Sequence, residues 1–198
     1  EDLGAPITHL MANGSYSVML NAAGGGCSYW NDIALTRWRE DSVSDDWGSF
    51  FYFRDPRTEQ TWSAGFMPLG RKPDFYQATF SEDKAEISRK DGPFTTSLEC
   101  LVSPEDDAEA RRVTITNTTS ISKDVELTSY AELVLAPRAA DNAHPAFSKM
   151  FVETEYLPEL ETLLATRRKR SPSEPEIWTA QFLVWDGLKI GEIEYETD

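Results

Sequence analysis

The residues best suited to gripping a small polyhydroxylated ligand lie together at 139–155, which reads Ala-Ala-Asp-Asn-Ala-His-Pro-Ala-Phe-Ser-Lys-Met-Phe-Val-Glu-Thr-Glu. Phe147 can stack on the apolar face of a pyranose ring. Ser148 and Lys149 can hydrogen-bond sugar hydroxyls, and His144 can donate or accept. The segment follows the longest predicted strand, contains a proline and carries one of only two histidines. The same residues suit an ordinary crossover loop in which His144 is a structural hydrogen-bonder. Side-chain chemistry alone leaves both readings open.

No residue is marked as a catalytic acid or base. The carboxylates are plentiful, but they cluster at 45–46, 82–83 and 105–107. Asp favours such turn positions for its own hydrogen-bonding reasons. No catalytic residue is therefore assigned. The run Asn21-Ala-Ala-Gly-Gly-Gly26 lacks the Lys-Ser/Thr of a phosphate loop and no helix follows it, so it reads as a tight loop where backbone packs closely. Arg37 and Arg39 flank Trp38. In a strand they would share one face and could lie beside a sugar or phosphate. The plainer alternative buries Trp38 and pairs both arginines at the surface with Glu40, Asp41 or Asp45. His9 has no partner motif, which argues against a mutarotase. The two cysteines, Cys27 and Cys100, have no metal-type spacing, so no metal site is expected. They read as buried free thiols or, alternatively, as one disulfide.

These side chains must be held by strands. Alternation and aromatic or β-branched enrichment predict strands at 15–20, 49–54, 61–62, 75–80, 84–89, 95–102, 110–116, 125–135, 162–167 and 177–185. Turn signals separate them about every 8–12 residues with no helical pattern between, the signature of an all-β antiparallel sandwich. Residues 112–120 and 123–132 read as a hairpin across an Asn/Thr/Ser turn. Residues 155–161 read as a loop or a single turn, and 167–175 as a basic, Pro-rich loop.

Composition excludes several partners. The chain has 198 residues, 40% hydrophobic, and a net charge of −15. That is enough for one globular domain with a core. Strong acidity disfavours nucleic acid and anionic lipid. No apolar run approaches the ~18 residues of a membrane span, so no direct membrane insertion is expected. The N-terminus lacks the pattern of a signal peptide.

In combination, Asn21-Ala-Ala-Gly-Gly-Gly26, Thr36-Arg-Trp-Arg39, Trp62-Ser-Ala-Gly65, Ser103-Pro-Glu-Asp-Asp-Ala-Glu109 and His144-Pro-Ala-Phe-Ser148 resemble one family. The chain is similar to the N-terminal β-sandwich region of the inverting β-glucoside phosphorylases, the family of cellobiose phosphorylase. Its nearest branch is the phosphorylase-like portion of bacterial cyclic β-1,2-glucan synthases. The resemblance implies a galactose-mutarotase-like supersandwich, here incomplete, with 1–198 as one sandwich domain or a piece of one. A catalytic helical barrel would follow in the same polypeptide and hold the catalytic carboxylate. Inorganic phosphate would be co-substrate, with no cofactor. The ligand would be a β-glucan oligosaccharide, the product glucose 1-phosphate, and the setting the cytoplasmic face of the inner membrane. The resemblance also implies that 139–155 reaches over the active-site mouth, often from the neighbouring subunit of a homodimer, and offers His144, Phe147, Ser148 and Lys149 to the acceptor sugar. Where cellobiose phosphorylase reads Phe-Gln-Arg, this chain reads Phe147-Ser-Lys149, which points away from a glucose acceptor and toward a longer β-1,2-glucan.

Overall fold

The computed structural model describes residues 7–39, 47–187, 191 and 193–197. They form two compact units, Glu1–Glu132 and Leu133–Asp198. Antiparallel strands dominate both, as an all-β reading requires.

The first unit carries three sets of strands. β1 (Thr8–Ala12), β2 (Tyr16–Asn21), β3 (Gly26–Trp30) and β4 (Ile33–Thr36) follow one another as an antiparallel meander. β5 (Ser49–Asp55) pairs with β6 (Gln60–Ser63). β7 (Phe75–Phe80), β8 (Ala85–Asp91), β9 (Phe94–Val102) and β10 (Glu109–Asn117) form a second meander. β11 (Glu126–Ala131) pairs with β5 on the side opposite β6. Alternation sets which side faces in. On β8 the buried set is Ala85, Ile87, Arg89 and Asp91, and on β9 it is Phe94, Thr96, Leu98 and Cys100. The core forms where these meet β5 and β6. Trp62 stacks between Phe53 and Phe94, at ring distances of 5.5 and 5.3 Å, with Ala64 and Leu98 beside them.

Two polar devices lie inside this unit. Arg89 has no solvent exposure. Its Nε and Nη2 fork onto the Asp91 carboxylate at 2.6 and 2.8 Å, and its remaining donors reach the carbonyls of Gly65 and Arg71. A buried charge is tolerable only when paired and hydrogen-bonded in this way. The glycine loop is the second device. Asn21 Oδ1 accepts from the amides of Ala23 and Gly25. Gly24 has a φ of +96°, and a Cβ there would stand 2.6 Å from the Cα of Gly65. The close-packing expectation for the glycine run holds.

The second unit begins with β12 (Leu133–Pro137), then two short helices, α1 (Arg138–Ala143) and α2 (Pro145–Lys149). β13 (Val152–Leu157), β14 (Thr162–Arg167) and β15 (Trp178–Phe182) form an antiparallel sheet in that order, with a 3-10 turn at Pro158–Leu160.

The structure corrects several expectations. The strand read at 125–135 breaks at Glu132, because that residue turns its backbone carbonyl to the amide of Arg37, at 2.8 Å, and its carboxylate to the Arg37 guanidinium. Residues 112–120 and 123–132 do not pair as a hairpin. β10 pairs with β9 and β11 with β5, so the chain changes sheet between them. Residues 152–157 form a strand before the single turn, and 138–149 is helical rather than loop. Arg37 is buried on Glu132 and lies past the end of β4, so it is neither a surface arginine nor part of a strand. Arg39 lies over the Trp47 ring at 5.0 Å. Residues Glu40, Asp41 and Asp45 lie outside the described residues. The two cysteines are both buried and form no disulfide.

Candidate functional site

The helical corner forms for local reasons. Residues 138–143 contain no glycine or β-branched residue, and Pro137, extended at φ −55° and ψ 135°, ends β12 and opens α1. His144 adopts an extended conformation between the helices, closing α1 and capping α2. Pro145 then occupies the first turn of α2, where its missing N–H costs nothing. The Ser148 amide donates to the His144 carbonyl at 2.9 Å, and the Phe151 amide donates to the Ser148 carbonyl at 3.3 Å.

Helical phase decides what each predicted site residue can touch. Successive residues turn by roughly 100°, so Phe147 and Lys149 flank Ser148 on either side. Ser148 points inward and is 4% exposed. Phe147 is half exposed, and His144 and Lys149 are exposed. Three of the four residues therefore present side chains to solvent, whereas Ser148 belongs to the support beneath.

That support is a residue cluster the sequence reading missed. The Phe147 and Phe151 rings meet in a T-shaped arrangement at 5.1 Å and 74°. The guanidinium groups of Arg167, Arg168 and Arg170 lie 5.3, 5.4 and 5.9 Å from the centre of the Phe151 ring. Arg170 is held by Glu174 at 3.0 Å, and donors on Arg170 hold the Glu174 carboxyl below the usual carboxylate range. Arg167 differs from its neighbours. Its Nη1 donates to the carbonyls of Ser148 at 3.0 Å and Val134 at 3.2 Å, and reaches Ser148 Oγ at 3.4 Å. Burial, with the charge of Arg170 behind it, lowers the Arg167 pKa. The run 167–170 was visible in the sequence as a basic loop, but its contact with 147–151 is tertiary and leaves no local signal.

An exposed aromatic ring can stack on a pyranose face, and an exposed ammonium or imidazole can hydrogen-bond sugar hydroxyls, but Phe147 and Lys149 leave the helix roughly 200° apart and do not share one face. Among the described residues, the carboxyl groups of Asp55, Glu99 and Glu174 are held below the usual carboxylate range by donors around them. Among the described residues no three His, Cys, Asp or Glu side chains converge as metal ligands, and no helix is long and apolar enough to cross a membrane.

Comparison with known proteins bears on the whole chain. A family model described as "Glycosyl hydrolase 94, supersandwich domain" matches residues 1–198. The chain is 41% identical over 191 residues to cyclic beta-(1,2)-glucan synthase NdvB of Rhizobium meliloti (strain 1021), covering 96% of this chain and 7% of that protein. It is 22% identical over 160 residues to the N,N'-diacetylchitobiose phosphorylase of Vibrio furnissii, covering 78% of this chain and 20% of the relative. It is 24% identical over 151 residues to the solabiose phosphorylase of Paenibacillus borealis, covering 75% of this chain and 18% of the relative. The chain thus spans a fifth or less of each of these relatives.

Proposed function

The chain belongs to the glycosyl hydrolase 94 supersandwich family, and from that premise we propose that it is the non-catalytic, carbohydrate-associated sandwich of a larger enzyme that makes or phosphorolyses β-1,2-glucan. The observation that carries the substrate class is the 41% identity, across almost the whole chain, to a cyclic β-1,2-glucan synthase. The catalytic acid lies in a helical barrel of the same polypeptide. It protonates the glycosidic oxygen while inorganic phosphate attacks the anomeric carbon, releasing glucose 1-phosphate with inversion. The sandwich needs no cofactor and no metal of its own. The polypeptide works at the cytoplasmic face of the inner membrane, which suits two cysteines that form no disulfide.

In this reading α2 serves the acceptor side of the cleft, in the same subunit or across a homodimer. Phe147 stacks on an acceptor ring, His144 and Lys149 hydrogen-bond acceptor hydroxyls, Lys149 from the other side of the helix, and Ser148 holds the helix in place. A purely structural sandwich is the competing reading, favoured by the burial of Ser148. Kinetics separate the two. In the full-length polypeptide, Phe147→Ala and Lys149→Ala are expected to raise the KM for a linear β-1,2-glucan acceptor about five- to ten-fold each, with the KM for glucose 1-phosphate unchanged. Acceptor kinetics that do not move in either variant would sink the acceptor role and leave the scaffold reading. Phosphorolysis by residues 1–198 alone would overturn the placement of the acid elsewhere.

A further inference from the structure

We infer that Arg167 is the positioning residue for the acceptor-binding helix, acting through Ser148 and Phe151 to set the direction of Phe147; this rests on the reading of α2 as an acceptor-contacting element. Three observations converge on it. First, α2 has only five residues, too short to hold itself, since isolated helices need about twelve or more. Secondly, its inward residue, Ser148, gives both its carbonyl and its hydroxyl to one Arg167 nitrogen, which also takes the carbonyl of Val134 on β12. One guanidinium therefore ties the helix to the strand before it and, through its own place at the end of β14, to the sheet after it. Thirdly, the same guanidinium lies over the Phe151 ring, and Phe151 is the ring that Phe147 meets in a T-shaped contact. One side chain thus bonds the backbone beside Phe147 and also lies over the ring that Phe147 meets.

The chemistry specifies arginine. A planar fork can lie over a ring while one end donates to carbonyls in its plane, and an ammonium on a flexible stem cannot do both. The other two arginines on Phe151 do not share this task, because Arg170 is engaged with Glu174 and the Arg168 guanidinium lies 3.9 Å from Glu153. A short, exposed helix tied by the Arg167 guanidinium can be loosened without dismantling the sheet beneath it.

The test uses Arg167→Met and Arg167→Lys in the full-length polypeptide, with Phe147→Ala as reference. Two readings are taken on each: amide hydrogen exchange across 144–151, and synthetic-direction kinetics with glucose 1-phosphate as donor and linear β-1,2-glucan as acceptor. For Arg167→Met the expected result is exchange at the Ser148 and Phe151 amides faster by about ten-fold, the worth of one charge-assisted hydrogen bond, and an acceptor KM raised by a similar factor. Donor KM and kcat stay within two-fold, roughly the scatter of a neutral surface change. Arg167→Lys recovers part of the acceptor KM because one donor survives. Unchanged exchange and unchanged acceptor KM in Arg167→Met, beside a raised KM in Phe147→Ala, overturns the inference and leaves the acceptor reading standing. Faster exchange with acceptor KM unchanged in all three variants overturns the acceptor reading and removes the functional half of the inference. If Arg167→Met fails to fold, Arg167→Lys decides: acceptor KM equal to wild type overturns the inference.

Discussion

At the scale of single residues, the clearest handle is Cys100. Its thiol lies in the core of the first unit, 3.9 Å from Glu109 Oε2, and burial pushes its pKa from 9.0 up to about 11. A folded value above the unfolded one means that the native chain keeps a proton the unfolded chain has lost. The contribution is complete below pH 9 and is lost as pH rises toward 11, at about 1.4 kcal/mol per pH unit. Unfolding titrations between pH 8 and 11 should show this fall, and Cys100→Ala should flatten it. A slope identical in the variant would refute the assignment. Tyr76, buried and raised to about 12, extends the alkaline weakening further. Of the four candidate residues, Phe147, Lys149 and His144 stand exposed, as the polar side-chain types of the last two lead one to expect. The burial of Ser148 was hidden because five helical residues are too few to show a period. The tie to Arg167 was hidden because nothing local records which carbonyls a distant guanidinium will find.

At the scale of elements, the glycine loop between β2 and β3 makes a sharp prediction. Gly24→Ala must bring a Cβ against the backbone of Gly65 at a positive φ, so it should cost about 3 kcal/mol, the sum of strain and overpacking. Gly92→Ala, at φ +56° with nothing within 4 Å, should cost only about 1 kcal/mol. Urea midpoints for the two variants decide, and equal losses would mean that close approach is irrelevant. Strand alternation made the meander β7–β10 and the strands β5 and β14 legible within a residue or two. β3 escaped notice because Gly26, Cys27 and Ser28 are all buried and show no alternation, and β1 and β4 because five and four residues are too few to show a clear period. The misplaced hairpin had a different cause. Neighbours in sequence usually pair, and here the chain leaves one sheet at Asn117, whose side chain organises the exit by bonding Thr119 and Ile121. The helices were missed because segments of five or six residues are too short to show a helical period.

At the scale of the whole molecule, acidity and exposed apolar surface pull in opposite directions. A charge of −15 keeps chains apart, while Trp178, Phe182 and Val184 stand largely exposed on and beyond β15. Added salt screens the first and leaves the second, so sedimentation should show concentration-dependent association that rises with ionic strength. Trp178→Glu with Phe182→Lys should abolish it. A monomer at every salt concentration would mean that the surface is inert. Calorimetric titration of residues 1–198 with linear β-1,2-glucan should be silent, because stacking on Phe147 alone supplies too little affinity. Micromolar binding would show a sugar site contained in this chain. The pairing of β5 with β11 sets the order of events at birth. Both meanders can form from neighbouring strands as they appear, but β5 must wait for a partner that lies beyond all of β7–β10 in the chain. During synthesis the aromatic strand Ser49–Asp55 therefore spends on the order of seconds with one edge open, and a chaperone that favours extended aromatic segments would find its target there.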